Sequence, residues 1–367
     1  MPAIIGRMAT EMKAFDQADV ICERVADAYE TGQTLAIEGS GSKAFLPGGK
    51  AEADATLGLS GHTGIVDYDP KEWFITARSG TPIREIEAAL LSEGQMLGFE
   101  PPHFGEGATL GGVIASGFCG SRRPFAGSAR DAVLGVRMVN GRGESLRFGG
   151  TVMKNVAGFD VSRLMVGSRG TLGVLLEVTL KVVPRPEVEK TLVVPRTWAE
   201  GLAHMQVLQG TANLFSGLAN DGSWSYLRIA GPERAVLRVQ ADLGAEEAAD
   251  GPGFWYRLRE QKSRFFTYPP LGNALFRMSV PSAAPAIEIQ GEWLYDWGGA
   301  LRWLRTNAPA EAVFRVAAQL RGHARLFRAT RPWGAVASPL DPALQELNAR
   351  VKAAFDPKRL FNPGVMP

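Results

Sequence analysis

Glycines and hydroxyl residues gather in two clusters, Gly39-Ser40-Gly41-Ser42-Lys43 and Gly107-Ala108-Thr109-Leu110-Gly111-Gly112-Val113-Ile114-Ala115-Ser116-Gly117, each following or interrupting an apolar run. A pyrophosphate is held by backbone N–H groups that converge from several directions, and glycine permits that approach because it lacks a Cβ and tolerates positive φ. Ser40, Ser42, Thr109 and Ser116 add hydroxyl donors at the same places, and Lys43 adds a cation. Either cluster alone reads as readily as turn punctuation, and Lys43 alone as an exposed loop lysine. Taken together with the glycines that follow at Gly170 and Gly173, they describe loops built around one phosphate-rich cofactor.

Other chemistries find little support. The histidines His62, His103, His204 and His323 show no HxxxH or H-x-H spacing, which argues against a histidine metal site. Cys22 and Cys119 are too few for a disulfide framework or a four-cysteine iron–sulfur cluster within this chain, and Cys119 reads as a small buried side chain. No P-loop occurs, and no G-x-G-x-x-G opens a βαβ unit. A net charge of +2 gives no field that would draw nucleic acid or anionic lipid. No apolar run reaches the roughly 18 residues of a membrane span. Met1 to Phe15 mixes charged with apolar residues, so neither a signal peptide nor an anchor is expected there. The expected location is the cytoplasm, with any approach to the inner membrane made through partners.

The elements that must position these loops follow from periodicity. A chain of 367 residues with 45% hydrophobic content is long enough for two cores. Val20, Ile21, Val25, Ala28 and Tyr29 predict a helix over 16–31 stopped by Gly32, and Leu35-Ala36-Ile37 a short buried strand that delivers the first loop. Trp73 to Ala77 predicts a strand, followed by a helix to Leu91 with Thr81 as cap and Pro82 as its first residue. Strands are predicted at Ala132 to Asn140 and Glu144 to Phe148, joined by Gly141-Arg142-Gly143, and at Leu172 to Val182. Pro184-Arg185-Pro186 breaks the pattern and marks the expected domain boundary. Beyond it, Leu192 to Val194, Tyr226 to Ile229 and Ala235 to Val239 predict strands, Trp198 to Gln209 a helix, and Asp341-Pro342 the cap of a last helix to about Ala354.

A third segment, Val152-Met153-Lys154-Asn155-Val156-Ala157-Gly158-Phe159-Asp160, leads into Val166-Gly167-Ser168-Arg169-Gly170-Thr171-Leu172-Gly173-Val174. With the two loops, Pro101 to Phe104 and the tail Phe361-Asn362-Pro363-Gly364, it resembles the vanillyl-alcohol oxidase/p-cresol methylhydroxylase superfamily with its PCMH-type FAD-binding domain. Within that superfamily the chain is similar, over essentially its whole length, to the FAD-binding E subunits of bacterial glycolate oxidases.

The resemblance implies an α+β fold: a PCMH-type FAD-binding domain of two α/β subdomains over 1–185, a smaller α+β cap-like domain over 186–340, and a helix and tail over 341–367 returning to the first domain. It implies Gly39, Ser40, Gly41, Ser42 and Lys43 as the first phosphate loop, Thr109, Gly111, Gly112 and Ser116 as the second, and Pro102, Gly170, Gly173 and Val174 as further cofactor contacts. Many relatives join flavin covalently through a first-loop histidine, which is absent here, so the FAD is expected to be non-covalent. His103 is placed either beside the cofactor or in packing.

Catalytic 2-hydroxy-acid dehydrogenases of the superfamily carry a His-x-Gly-Asp-Gly-Asn-x-His type motif that this chain lacks. Arg302, Arg321 and Arg325 would supply cations for a carboxylate, but no base is evident. The implied function is an electron-transfer or assembly subunit of a glycolate oxidase complex, beside a catalytic flavoprotein subunit and an iron–sulfur subunit. A self-sufficient FAD-dependent 2-hydroxy-acid dehydrogenase and a structural subunit with a vestigial flavin site are the alternatives. The aromatic run from Trp293 to Trp303 reads either as core or as a partner surface, with Trp297 and Arg302 at its centre.

Overall fold

The computed structural model describes residues 15–48, 52–151, 160–211, 214–267, 274–329 and 335–365. The helix Ala18–Thr31 buries Ala18, Ile21, Val25 and Ala28, a stripe three and four residues apart, and ends at Gly32 with φ 73°. That stripe packs on a two-stranded parallel sheet, Leu35–Glu38 with Ala55–Gly58. The tail joins the same layer: Leu35 N–H donates to Leu360 O (2.8 Å), and Asn362 N–H to Leu35 O (2.9 Å).

Beside it lies a five-stranded antiparallel sheet in the order Ile65–Asp69, Phe74–Arg78, Val174–Lys181, Val133–Val139, Ser145–Gly149. Its central strand Val174–Lys181 is buried on both faces up to Lys181, which is why it reads as a continuous apolar run instead of alternating. The helices Ile83–Ser92 and Leu110–Ser116 bury Ile86, Leu90, Leu110 and Ile114 against this sheet. Thr81 does not cap the first of them. Its hydroxyl accepts Gly64 N–H (2.9 Å), and the helix begins at Ile83 after Pro82.

The chain leaves these sheets after Val183–Pro184, which pairs with Gln95–Met96. From Val188 it builds an eight-stranded sheet in the order Glu246–Glu247, Val188–Pro195, Trp224–Gly231, Phe215–Asn220, Glu292–Asp296, Leu301–Thr306, Ala274–Ser279, His323–Ala329. Alternation splits its two faces. Phe276, Met278, Tyr295 and Leu304 pack with residues of the helices Trp198–Gln209 and Ala310–Gln319, whereas Leu275, Leu294, Leu301, Trp303 and Phe327 pack with Leu46, Phe104 and Phe118 of the first half. The sheet is thus roofed by helices on one side and by the first half on the other.

One expectation fails here, and one left open is decided. Ala235 to Val239 belongs to a helix, Glu233–Leu243, that starts after Pro232 and stops at Gly244 with φ 57°. Val236, Val239 and Leu243 meet the core at helical spacing, and a short β-branched run cannot reveal that by itself. The aromatic run is core and not a partner surface: Trp293, Trp297 and Trp303 are 4%, 3% and 6% exposed, and Arg302 is fully buried. The Arg302 guanidinium is spent on the carbonyls of Gly299, Ala284 and Pro285, which also removes it as a carboxylate ligand.

A buried charge cluster ties the halves together. Glu100, in a left-handed conformation (φ 49°), accepts both arms of Arg228 at 2.8 and 2.9 Å and the Nε–H of Arg122 at 3.2 Å. Arg122 also pairs with Glu189. Burial favours the neutral form of Glu100, but Arg228, then Arg122 and Arg259, outweigh it and hold the carboxyl below its usual range. The last helix, Pro342–Phe355, is capped by Asp341 at Ala343 N (2.9 Å) and has none of its residues buried.

Candidate functional site

The first glycine loop leaves the strand Leu35–Glu38 and faces the helix Leu110–Ser116 across a cleft of about 330 Å³. Gly39, Ser40, Gly41, Ser42, Lys43, Thr109, Gly112 and Ser116 all line it. A smaller adjoining cavity of about 70 Å³ adds Gly111, Gly170 and Gly173. One expected residue, Pro102, lines a separate cavity between the two halves. Val174, expected to meet the cofactor through its main chain, follows Gly173 of the smaller cavity and has its side chain buried with Ile21, Leu35 and Phe361. The segment 152–159 lies outside the described residues.

The two loops hold different parts of the donor set. In the second, Thr109 Oγ1 accepts Gly112 N–H (3.3 Å), while Leu110 and Gly111 donate to Thr81 O and Ser79 O, so the start of this helix is already satisfied internally. In the first, Gly41 turns through φ 71°, and among the described residues nothing accepts from the backbone N–H groups of Ser40, Gly41, Ser42 and Lys43. A run of unpartnered N–H groups on a left-handed turn is an anion cradle.

Glycine is required opposite it for two separate reasons. A Cβ on Gly111 would come within 2.8 Å of Ser79 Cβ, which is a packing constraint. A Cβ on Gly112 would meet only Thr109 Oγ1, at 3.3 Å, and would otherwise fill the cleft. These residues fit the pyrophosphate of FAD.

Lys43 is not a free loop lysine. Its ammonium donates to Ser42 Oγ (3.1 Å) and His103 O (3.3 Å), joining the first loop to the 101–104 segment. Burial pushes its pKa down to about 8, against the opposing pull of Glu260. His103 Nε2 lies 3.1 Å from Glu87 on the helix Ile83–Ser92, a packing position and not one on the cleft.

Sequence reasoning missed two residues that close the cleft. Asn362 accepts Ile37 N–H at Oδ1 (2.7 Å) and donates from Nδ2 to Arg169 O (2.7 Å). Arg169, at φ 54°, donates to Val365 O (3.3 Å) and Gly48 O (3.0 Å), and burial lowers its pKa to about 10. A lone arginine between Ser168 and Gly170 was the available signal for the second.

Sequence reasoning also found no base. The structure supplies a buried carboxyl at the seam, beside Phe104, Phe118, Trp303 and Phe327. Asp296 accepts Ser121 Oγ–H (2.9 Å) and Trp297 N–H (2.7 Å), and burial pushes its pKa up to about 7. Arg277 lines the same cavity with its guanidinium 5.1 Å from the Trp297 ring centre.

Comparison with known proteins agrees with this geometry. A family described as an FAD binding domain matches residues 14–149. Glycolate oxidase subunit GlcE of Escherichia coli (strain K12) is 46% identical over 355 residues, covering 97% of this chain and 99% of that protein. Glycolate oxidase subunit GlcD of Bacillus subtilis (strain 168) is 36% identical over 129 residues, 35% of this chain and 27% of that protein. Among solved structures, an alkyldihydroxyacetonephosphate synthase superposes with a TM-score of 0.63 over 94% of this chain and 75% of its own, at 16% identity, a likeness of fold. Among the described residues no helix is long and apolar enough to cross a membrane. With a relative of this identity matched from end to end, the chain belongs to the family of glycolate oxidase subunit GlcE, and it binds FAD.

Proposed function

We propose that this chain is the FAD-holding subunit of a glycolate oxidase complex that converts glycolate to glyoxylate, working beside a GlcD-like catalytic flavoprotein subunit and an iron–sulfur subunit. Its role there is electron transfer or assembly. The reading rests on the unpartnered N–H groups of Ser40 to Lys43 facing Gly112 across the cleft, in a chain whose similarity to GlcE runs end to end. Residues 1–185 form the FAD-binding part, 186–340 the cap over it, and 341–367 the return, which the bonds between Leu35 and the 360–362 tail support.

No histidine or cysteine stands in the first loop, so the flavin is held without a covalent bond. Acid precipitation of the purified yellow protein should release all of its flavin to the supernatant. Flavin that stays with the precipitated polypeptide refutes the non-covalent reading, and a colourless protein that takes up no FAD refutes the cofactor role itself.

A further inference from the structure

The last helix, Pro342–Phe355, is amphipathic without a core to face. Leu344, Leu347 and Val351 lie three and four residues apart on one side of it, a stripe that in a folded protein packs against other apolar groups. Here Leu344 and Leu347 are each 51% exposed, and no residue of the helix is buried. Its C-terminal end is moored: Phe355 packs on the core of the first half, and Lys352 donates to Thr171 O (2.6 Å), Phe361 O (3.1 Å) and Asp356 (2.7 Å). Leu347 and Val351 line a slot of about 560 Å³ whose lining also includes Leu164, Val166 and Leu172, and Leu164 is itself 37% exposed. Exposed apolar residues gathered around one concavity mark an interaction site, whereas residues scattered singly do not.

Charge selects what fits there. Arg130, Arg163, Lys352 and Arg359 line the slot, and among the described residues no carboxylate does. Lys352 is engaged internally and Arg163 is shared with Asp160 at 3.3 Å. The guanidinium groups of Arg130 and Arg359 have no hydrogen bond or ion pair among the described residues. Open guanidinium groups beside leucines match an apolar face flanked by carboxylates. A bilayer would meet a protruding face, and Leu347 stands in a recess.

We propose that this slot, and not the buried Trp293 to Trp303 run, docks a partner subunit through a segment that carries apolar residues at helical spacing between carboxylates. The apolar side chains of that segment complete the stripe of Leu344, Leu347 and Val351, and its carboxylates pair with Arg130 and Arg359. The proposal rests on the reading of the chain as one subunit of a complex and names the surface by which it joins.

Co-expression with the GlcD-like and iron–sulfur subunits tests this, with assembly followed by size-exclusion chromatography and flavin content measured for every variant. The wild-type chain should co-elute in a complex that loosens as salt rises. Leu347→Glu and Arg359→Glu should each weaken assembly at least about tenfold with flavin content unchanged. Leu347→p-benzoylphenylalanine, irradiated in the complex, should cross-link to a partner peptide with apolar residues between Asp or Glu. Cross-links to a peptide without carboxylates, to a second copy of this chain or to its own residues overturn the proposal. Binding to phosphatidylglycerol vesicles that Leu347→Glu abolishes overturns it as well. If Leu347→Glu does not fold, Arg359→Glu decides. Assembly unchanged in the variants removes the docking surface and leaves the complex standing, whereas a wild-type chain that does not assemble with these subunits removes the complex and this proposal with it.

Discussion

Gly112→Val separates cofactor binding from folding. Gly112 is in the helix Leu110–Ser116 and not at positive φ, so the substitution brings no left-handed strain. Its new Cβ touches only Thr109 Oγ1 at 3.3 Å, a contact relieved by a shift of a few tenths of an ångström, while the valine methyls project into the cleft. A pyrophosphate displaced by that side chain loses contact with the first loop, whose N–H groups at Ser40 to Lys43 have no other acceptor. Hydrogen bonds to a charged group are worth about 1.5–3 kcal/mol each. Losing two therefore costs roughly 3–6 kcal/mol, or about 10²- to 10⁴-fold in affinity. Titration of apo-protein with FAD, followed by flavin fluorescence, measures it, with circular dichroism as the check on folding. Gly111→Val is the contrast: a Cβ 2.8 Å from Ser79 Cβ should damage the fold itself. A Gly112→Val dissociation constant within threefold of wild type would refute the placement of the pyrophosphate against this residue.

Three further outcomes follow from the same geometry. Lys43 loses its charge above a pKa of about 8, so FAD affinity should fall as pH rises from 8 toward 10, and Lys43→Met should be weaker at pH 7 but flat across that range; a wild-type profile without the decline removes Lys43 from the phosphate site. Glu100→Gln removes the close ion partner of the buried Arg228, leaving only Glu189 at 4.0 Å, and should cost about 3–5 kcal/mol, roughly 6–20 °C in Tm for a cooperative unit of 150–250 residues, by calorimetry. Because the folded-state pKa of Glu100 is depressed, its contribution is present above the ordinary carboxylate pKa and disappears as pH falls through the lower folded value, so wild type and variant should converge in Tm only in acid; a constant gap down to strongly acidic pH contradicts the pairing.

The two glycine loops were legible because their signal is local: hydroxyl and glycine types cluster where backbone must approach a ligand, and neighbours such as Ile37 and Leu110 fix the elements that carry them. Gly32 as a helix stop belongs to the same class. Asn362 was unreadable as a site residue because its bonds to Ile37 and Arg169 span most of the chain. Asp296 was missed for a different reason. Nothing in Tyr295-Asp296-Trp297 says that Ser121 will cover the carboxyl from the other half. The Trp293 to Trp303 run was ambiguous because aromatics mark cores and interfaces alike, and only the first half packed against it decides. Ala235 to Val239 failed for want of length: five apolar-rich residues satisfy both periods.

The tail bonds carry a consequence for synthesis. Asn362 hydrogen-bonds Ile37 beside the first loop, and Arg169 reaches Val365. The floor of the FAD cleft is therefore laid near Ile37 and finished by residues 325 positions further along the chain. A nascent chain still on the ribosome can build its five-stranded sheet, but it cannot close the cleft around a cofactor until the 360–365 segment has left the exit tunnel. A chain broken off before residue 362 should therefore be left as apo-protein.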